Sequence, residues 1–119
     1  MTGFAWSSAA SIAASVAAGE TTATAVINQT LARIASRNPV LNAFTAVTAE
    51  RARSRAALID ATRAAGKAVG PLAGVPFAVK NLIDIAGLPT LAGSKINRAH
   101  PPAPADATLI CRRPPATPR

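Results

Sequence analysis

From Ala23 to Ile34 one set of side chains recurs at intervals of three and four residues: Ala23, Val26, Ile27, Thr30, Leu31 and Ile34. On a helix this spacing gathers them into a single stripe that must be buried against something else. Thr21 and Thr22 stand before the run as caps, and Asn38-Pro39 closes it. Proline cannot extend the helical ladder, and it biases its predecessor away from helix.

Around this helix the punctuation predicts others. Ser7 or Ser8 caps a short alanine-rich helix whose Ile12 and Val16 sit one turn apart, with Gly19 as its stop. Phe44 to Val47 reads as a brief strand, and Thr48 as the cap of a third helix. That helix turns Ala49, Ala52, Ala56 and Ile59 inward and Arg51, Arg55 and Arg63 outward, and stops at Gly66. After the Gly70-Pro71 turn, Leu72 to Val79 is the most apolar stretch of the chain. With Val75, Phe77 and Val79 alternating, it reads as a buried strand. Ala86 to Pro104 is a long glycine- and proline-rich loop, and Asp106 is placed to cap a helix beginning at Ala107. Three prolines then fall between Cys111 and Arg119, where that helix should run. Out-of-frame reading of a GC-rich gene yields Pro, Arg and Ala, so residues 111–119 are expected to be a frameshifted or disordered tail. Residues 1–110 form the domain part.

Half of the 119 residues are apolar, which excludes a disordered chain, but three Phe, one Trp and no Tyr leave few bulky side chains for a core. Such a chain is expected to lean on something else. A net charge of +8 would suit an acidic partner, yet the arginines lie among alanines with no aromatic side chains interleaved to stack on bases. Specific nucleic-acid binding is therefore not expected. No apolar run reaches the length of a membrane span, and the opening residues lack the basic region of a secretory signal, so the expected compartment is cytoplasmic. One cysteine, Cys111, makes neither an internal disulfide nor a metal cluster, and reads as an unpaired thiol. No cofactor or metal spacing is found.

The chemistry-bearing stretch is Gly70-Pro71-Leu72-Ala73-Gly74-Val75-Pro76-Phe77-Ala78-Val79-Lys80-Asn81. Taken alone, Lys80 is a strand-end surface residue. At the end of a buried strand, however, its ammonium loses hydration, which favours the neutral amine that accepts a proton. The stretch resembles the Gly-Pro-Leu-x-Gly-x-Pro-x-x-x-Lys-Asp pattern of the amidase signature family, with Asn81 in place of the commoner Asp. Leu31-Ala32-Arg33-Ile34, Asn38-Pro39, Leu41-Asn42-Ala43-Phe44, Asp84, Gly87-Leu88-Pro89-Thr90 and Asp106-Ala107-Thr108-Leu109 continue the resemblance, which covers residues 7–110. Phe77 to Leu82 together with Leu91-Ala92-Gly93-Ser94-Lys95-Ile96-Asn97-Arg98 looks most like the carboxybiuret-hydrolase branch, which acts on small urea-derived amides. The A-type chain of glutamyl-tRNA amidotransferases is the competing branch.

The resemblance implies an α/β fold, a mixed sheet flanked by helices, of which this chain holds the N-terminal helices and first strands in truncated form. It also implies a Ser–cis-Ser–Lys triad, and only Lys80 maps onto it. In the family this lysine relays a proton through a bridging serine from the nucleophilic serine, which attacks the amide carbonyl to give an acyl-enzyme, while backbone N–H groups hold the oxyanion. The two serines belong to a Gly-Gly-Ser-Ser-Gly-Gly type segment that these 119 residues do not contain. Ser7-Ser8 reads as a helix cap, Ser94 as a turn serine or a pocket-lining one, His100 as a solvated loop residue, and Asp84 as a shaper of the loop after Lys80. The family further implies a small accessory subunit or a homo-oligomer. Two classes stay open: part of an amide hydrolase, inactive alone, or a partner-binding module without enzymatic activity.

Overall fold

The computed structural model describes residues 3–111, which fall into two compact units divided between Phe77 and Ala78. The first unit is helical. After a 3-10 turn at Phe4–Trp6 come α1 (Ala9–Ala18), α2 (Ala23–Leu41) and α3 (Ala49–Ala64). Ser8 caps α1 by accepting the Ser11 N–H at 3.1 Å, and Thr22 caps α2 by accepting the Ala25 N–H at 3.0 Å. Gly19 ends α1 in the left-handed region with φ 78°, and the Glu20 N–H returns to the Ser15 carbonyl at 3.0 Å. Gly66 ends α3 in the same way, with Lys67 N–H bonded to the Thr62 carbonyl at 3.1 Å.

The first unit's core is small. Ile12 and Val16 of α1, Ala23 and Val26 of α2 and Ala56 of α3 are buried, with Phe4, Ile27, Ile59 and Val75 packed on them. Alanine at the α2–α3 contact lets two helices approach closely but removes little apolar surface from water. The stripe of α2 fades along its length: Ala23 and Val26 are buried, whereas Ile27, Thr30, Leu31 and Ile34 are half-covered. Ordering α2 against α3 therefore falls largely to Asp60, whose carboxylate accepts the Ala23 N–H at 2.8 Å, the Thr24 N–H at 3.0 Å and the Thr24 hydroxyl at 2.7 Å. A side chain of one helix thus satisfies the open N-terminus of another. Burial pushes the Asp60 carboxyl up, but the Thr24 hydroxyl, the two backbone N–H groups and the neighbouring Arg63 guanidinium outweigh it and hold it below the ordinary value.

Several expectations change. The α2 helix does not end at Asn38-Pro39 but passes through Pro39 to Leu41. Proline's fixed φ suits a helix, so the helix survives the missing hydrogen bond and the crowding of its ring against the preceding turn, and the stop falls to Asn42 at φ 49°. Asn38 meanwhile grips the chain beyond: its Oδ1 accepts the Phe44 N–H at 2.8 Å and its Nδ2 donates to the Phe44 carbonyl at 3.1 Å. Phe44 to Val47 is accordingly not a strand. Thr48 precedes α3 without a side-chain capping bond. Arg63, expected outward, is half-buried, and its guanidinium lies over Gly19, where an added Cβ would stand 2.7 Å from Nη1. A cation there complements the C-terminal end of α1.

Leu72 to Val79 is not a strand either, and no strand occurs among the described residues. Two successive turns occupy its start, with Ala73 N–H bonded to the Gly70 carbonyl at 3.0 Å and Val75 N–H to the Leu72 carbonyl at 3.2 Å. Pro71 and Pro76 have no N–H for a ladder, and a strand needs a neighbour. Val75 packs on the core, while Leu72 and Phe77 are exposed. Where a helix was expected after Asp106, the described residues form a single turn, Ile110 N–H to the Ala107 carbonyl at 2.8 Å, and the Asp106 carboxylate accepts the Ala86 N–H at 2.9 Å. Residues 112–119, where most of the expected foreign tail falls, lie outside the described residues.

Candidate functional site

The second unit is held by turns and by loop hydrogen bonds of both side chain and backbone rather than by regular elements, apart from a 3-10 turn at Lys95–Ala99. Lys80 lies on its first turn, where its carbonyl accepts the Ile83 N–H at 3.0 Å. The side chain is exposed and has no ion pair among the described residues. The strand end expected to strip water from its ammonium is absent, so any such dehydration must come from a surface beyond these residues.

The residue after it is held firmly. Asn81 Oδ1 accepts the Leu91 N–H at 3.0 Å, and the Asn81 carbonyl accepts the Ala92 N–H at 2.9 Å. Leu91 is also gripped from its other side, since Asn97 Nδ2 donates to the Leu91 carbonyl at 3.0 Å. Ala92 and Gly93 follow with φ of 46° and 72°, turning the chain sharply below this clamp. Gly93 takes that conformation without strain; Ala92 does so because Asn81 fixes its N–H.

Asp84 performs the loop-shaping role expected of it. Its Oδ1 accepts the Thr90 hydroxyl, and its carbonyl accepts the Ala107 N–H at 3.0 Å. Gly87 N–H to the Ala103 carbonyl and Ala103 N–H to the Leu88 carbonyl, both 2.9 Å, tie the middle of the loop to its end. The remaining candidates are placed plainly. Ser94 Oγ accepts the Ile96 N–H at 3.3 Å and caps the 3-10 turn. His100 and Cys111 are exposed, the thiol 3.7 Å from the Asp106 carbonyl oxygen. Among the described residues no cluster of His, Cys, Asp or Glu could hold a metal ion, and no helix is long and apolar enough to cross a membrane. What the sequence reading missed is Asn97 and the reach of Asn81. Both stood inside quoted motifs, yet nothing in their spacing announces that they hold the same residue.

A family model for amidases matches residues 25–112, most of the chain. The chain belongs to the amidase family. Among its relatives, AtzE of Pseudomonas sp. (strain ADP), a 1-carboxybiuret hydrolase subunit, is 55% identical over 97 residues, 82% of this chain and 21% of the relative. The A-type chain of the glutamyl-tRNA(Gln) amidotransferase of Rhodopirellula baltica is 44% identical over 105 residues, 88% of this chain and 21% of the relative. A solved structure of an s-triazine catabolic enzyme, from a work on a vestigial protein complex, superposes with a TM-score of 0.82 at 53% identity, covering 84% of this chain and 22% of that one. A bacterial aryl acylamidase of the amidase signature family superposes with a TM-score of 0.79 at 30% identity, covering 89% of this chain and 22% of that one. The chain therefore spans about a fifth of the length of the relatives it matches. The motif from Gly70 to Asn81 lies within the matched region, and with it Lys80.

Proposed function

We propose that this chain supplies the N-terminal part of an amide hydrolase of the carboxybiuret-hydrolase type, with Lys80 as the proton acceptor of its Ser–cis-Ser–Lys relay. The observation that carries the reading is the 55% identity to the carboxybiuret hydrolase over 97 residues, above the 44% and 50% to two amidotransferase chains. In this mechanism a serine oxygen bonds to the amide carbon as its proton passes through the second serine to the Lys80 amine. The C–N bond breaks with that proton delivered to the leaving nitrogen, and water then hydrolyses the ester. A small urea-derived amide is the proposed substrate. The relay draws on two serines and a lysine alone, and we place it in the cytoplasm, in an assembly with a small accessory subunit or with further copies of itself.

In a complete domain Leu72 to Val79 is proposed to become a strand of the mixed sheet, once a neighbour offers it hydrogen-bond partners. Lys80 would then sit at the strand's end, with its ammonium covered. The test is a full-length chimera in which residues 7–110 replace the matching segment of the Pseudomonas hydrolase. Ammonia release from small amides should survive the replacement, and Lys80→Ala should reduce turnover on the order of 10³-fold or more with the fold intact. Near-normal turnover by the variant would overturn the assignment.

A further inference from the structure

In the segment that follows Lys80, the bonds that reach back to residue 81 converge on Leu91 and Ala92. Asparagine side chains meet both backbone groups of Leu91: Asn81 Oδ1 accepts its N–H at 3.0 Å, and Asn97 Nδ2 donates to its carbonyl at 3.0 Å beside the Ser94 N–H at 2.9 Å. The Asn81 carbonyl adds a further bond, to the Ala92 N–H at 2.9 Å, so residue 81 is joined to the 91–92 segment through both side chain and main chain. Leu91 and Asn97 are half-buried, which limits competition from water for these bonds. Lys80, by contrast, is exposed and has only its own turn bond to Ile83 to direct it. Its long side chain starts one peptide bond from the clamp, so the clamp decides where the amine's stem begins.

We infer that Asn81 and Asn97 form a positioning clamp, closed on Leu91, that sets the backbone of Lys80 for proton transfer. The inference rests on the proposed role of Lys80 and adds to it two residues that touch neither substrate nor nucleophile. A base displaced by about 1 Å costs roughly 10²-fold in rate. Loss of the clamp should therefore appear in kcat and leave substrate binding in place.

In the full-length chimera, Asn81→Ala should lower kcat on the order of 10²-fold with KM within about twofold, and should speed hydrogen exchange at the Leu91 amide. Asn81→Asp, whose carboxylate also accepts the Leu91 N–H, should restore most of both. Asn97→Ala removes one of the two bonds to the Leu91 carbonyl, leaving that from the Ser94 N–H; it should cost roughly tenfold in kcat, and it carries the test if Asn81→Ala fails to fold. Unchanged kcat in a folded Asn81→Ala or Asn97→Ala variant would overturn the clamp, as would a kcat loss with Leu91 exchange unaltered or not rescued by Asp. Lys80→Ala is run beside them. If it is inactive while the asparagine variants turn over normally, the clamp fails and the base assignment stands; if it is active, the base assignment itself fails.

Discussion

Gly74 stands so close to Val16 that a methyl group added to it would lie 3.0 Å from Val16 Cγ2 and 3.2 Å from Cγ1. Its φ is 80°, and the Ala23 Cβ would be 3.2 Å away on another side. The second glycine of the Gly-Pro-Leu-x-Gly motif is thus a packing residue, letting the turn before Lys80 rest directly on α1 and α2. Left-handed strain of about 1–2 kcal/mol adds here to overpacking of a core that has no slack. Gly74→Ala should lower the thermal unfolding midpoint of the full-length chimera by several degrees. Gly70→Ala meets open space and should change it far less.

Asp60 predicts how the helical unit responds to acid. Its folded-state carboxyl is held below the ordinary value, so its contribution is fully present above the unfolded value and is lost as pH falls through the folded one. Stability should fall once pH drops below about 4. Asp60→Asn should flatten that acid limb. Asp60→Ala should cost about 1–2 kcal/mol near neutrality, the usual loss on removing an N-terminal cap. Circular dichroism at 222 nm of the chimera across pH 3–7 reads both, and an acid limb unchanged in Asp60→Asn would refute the assignment.

These cases show what the sequence discloses and what it withholds. Ser8, Gly19 and Thr22 were legible because each cap bonds within a few residues of itself, and the stripe of α2 was legible because its spacing is a property of the helix alone. Asp60 was not, since its partners Ala23 and Thr24 lie more than thirty residues away in the chain. Leu72 to Val79 misled for a different reason. Alternation of Val75, Phe77 and Val79 describes a strand's faces but says nothing about its edges, and Pro76 already warned that one edge lacks a donor. Lys80 is singled out by its motif alone, whereas Asn81 and Asn97 are joined only when Leu91 is brought between them.

Charge gives a third prediction. Arg53 is engaged with Glu50 at 3.2 Å and Asn28 at 3.3 Å, and Arg63 lies against Gly19, so these two arginines serve the helices. Any retention of the chain on DNA should vanish by roughly 0.2 M salt, with no preference among sequences. A submicromolar, sequence-dependent complex at that salt would show otherwise.

The last prediction is that the 119-residue polypeptide by itself releases no ammonia from small amides and does not melt as a cooperative domain. Its sequence offers Lys80 but no Gly-Gly-Ser-Ser-Gly-Gly type segment, so the proposed proton acceptor has no nucleophile to serve. The fold points the same way. Among the described residues the buried core contains only Ile12, Ala13, Val16, Ala23, Val26 and Ala56, while Trp6 is 94% exposed, Phe77 75% and Ile96 81%. A core this small offsets little of the conformational entropy of ordering the chain, and large apolar side chains left in water favour loose packing or self-association. Purified polypeptide should bind the dye ANS and show a broad thermal transition by circular dichroism while retaining helical signal. Adding the complementary part of the hydrolase should sharpen the transition as Leu72, Phe77 and Leu82 become covered. Measurable turnover, or a sharp transition from a soluble monomer without ANS binding, would show that the chain is self-sufficient.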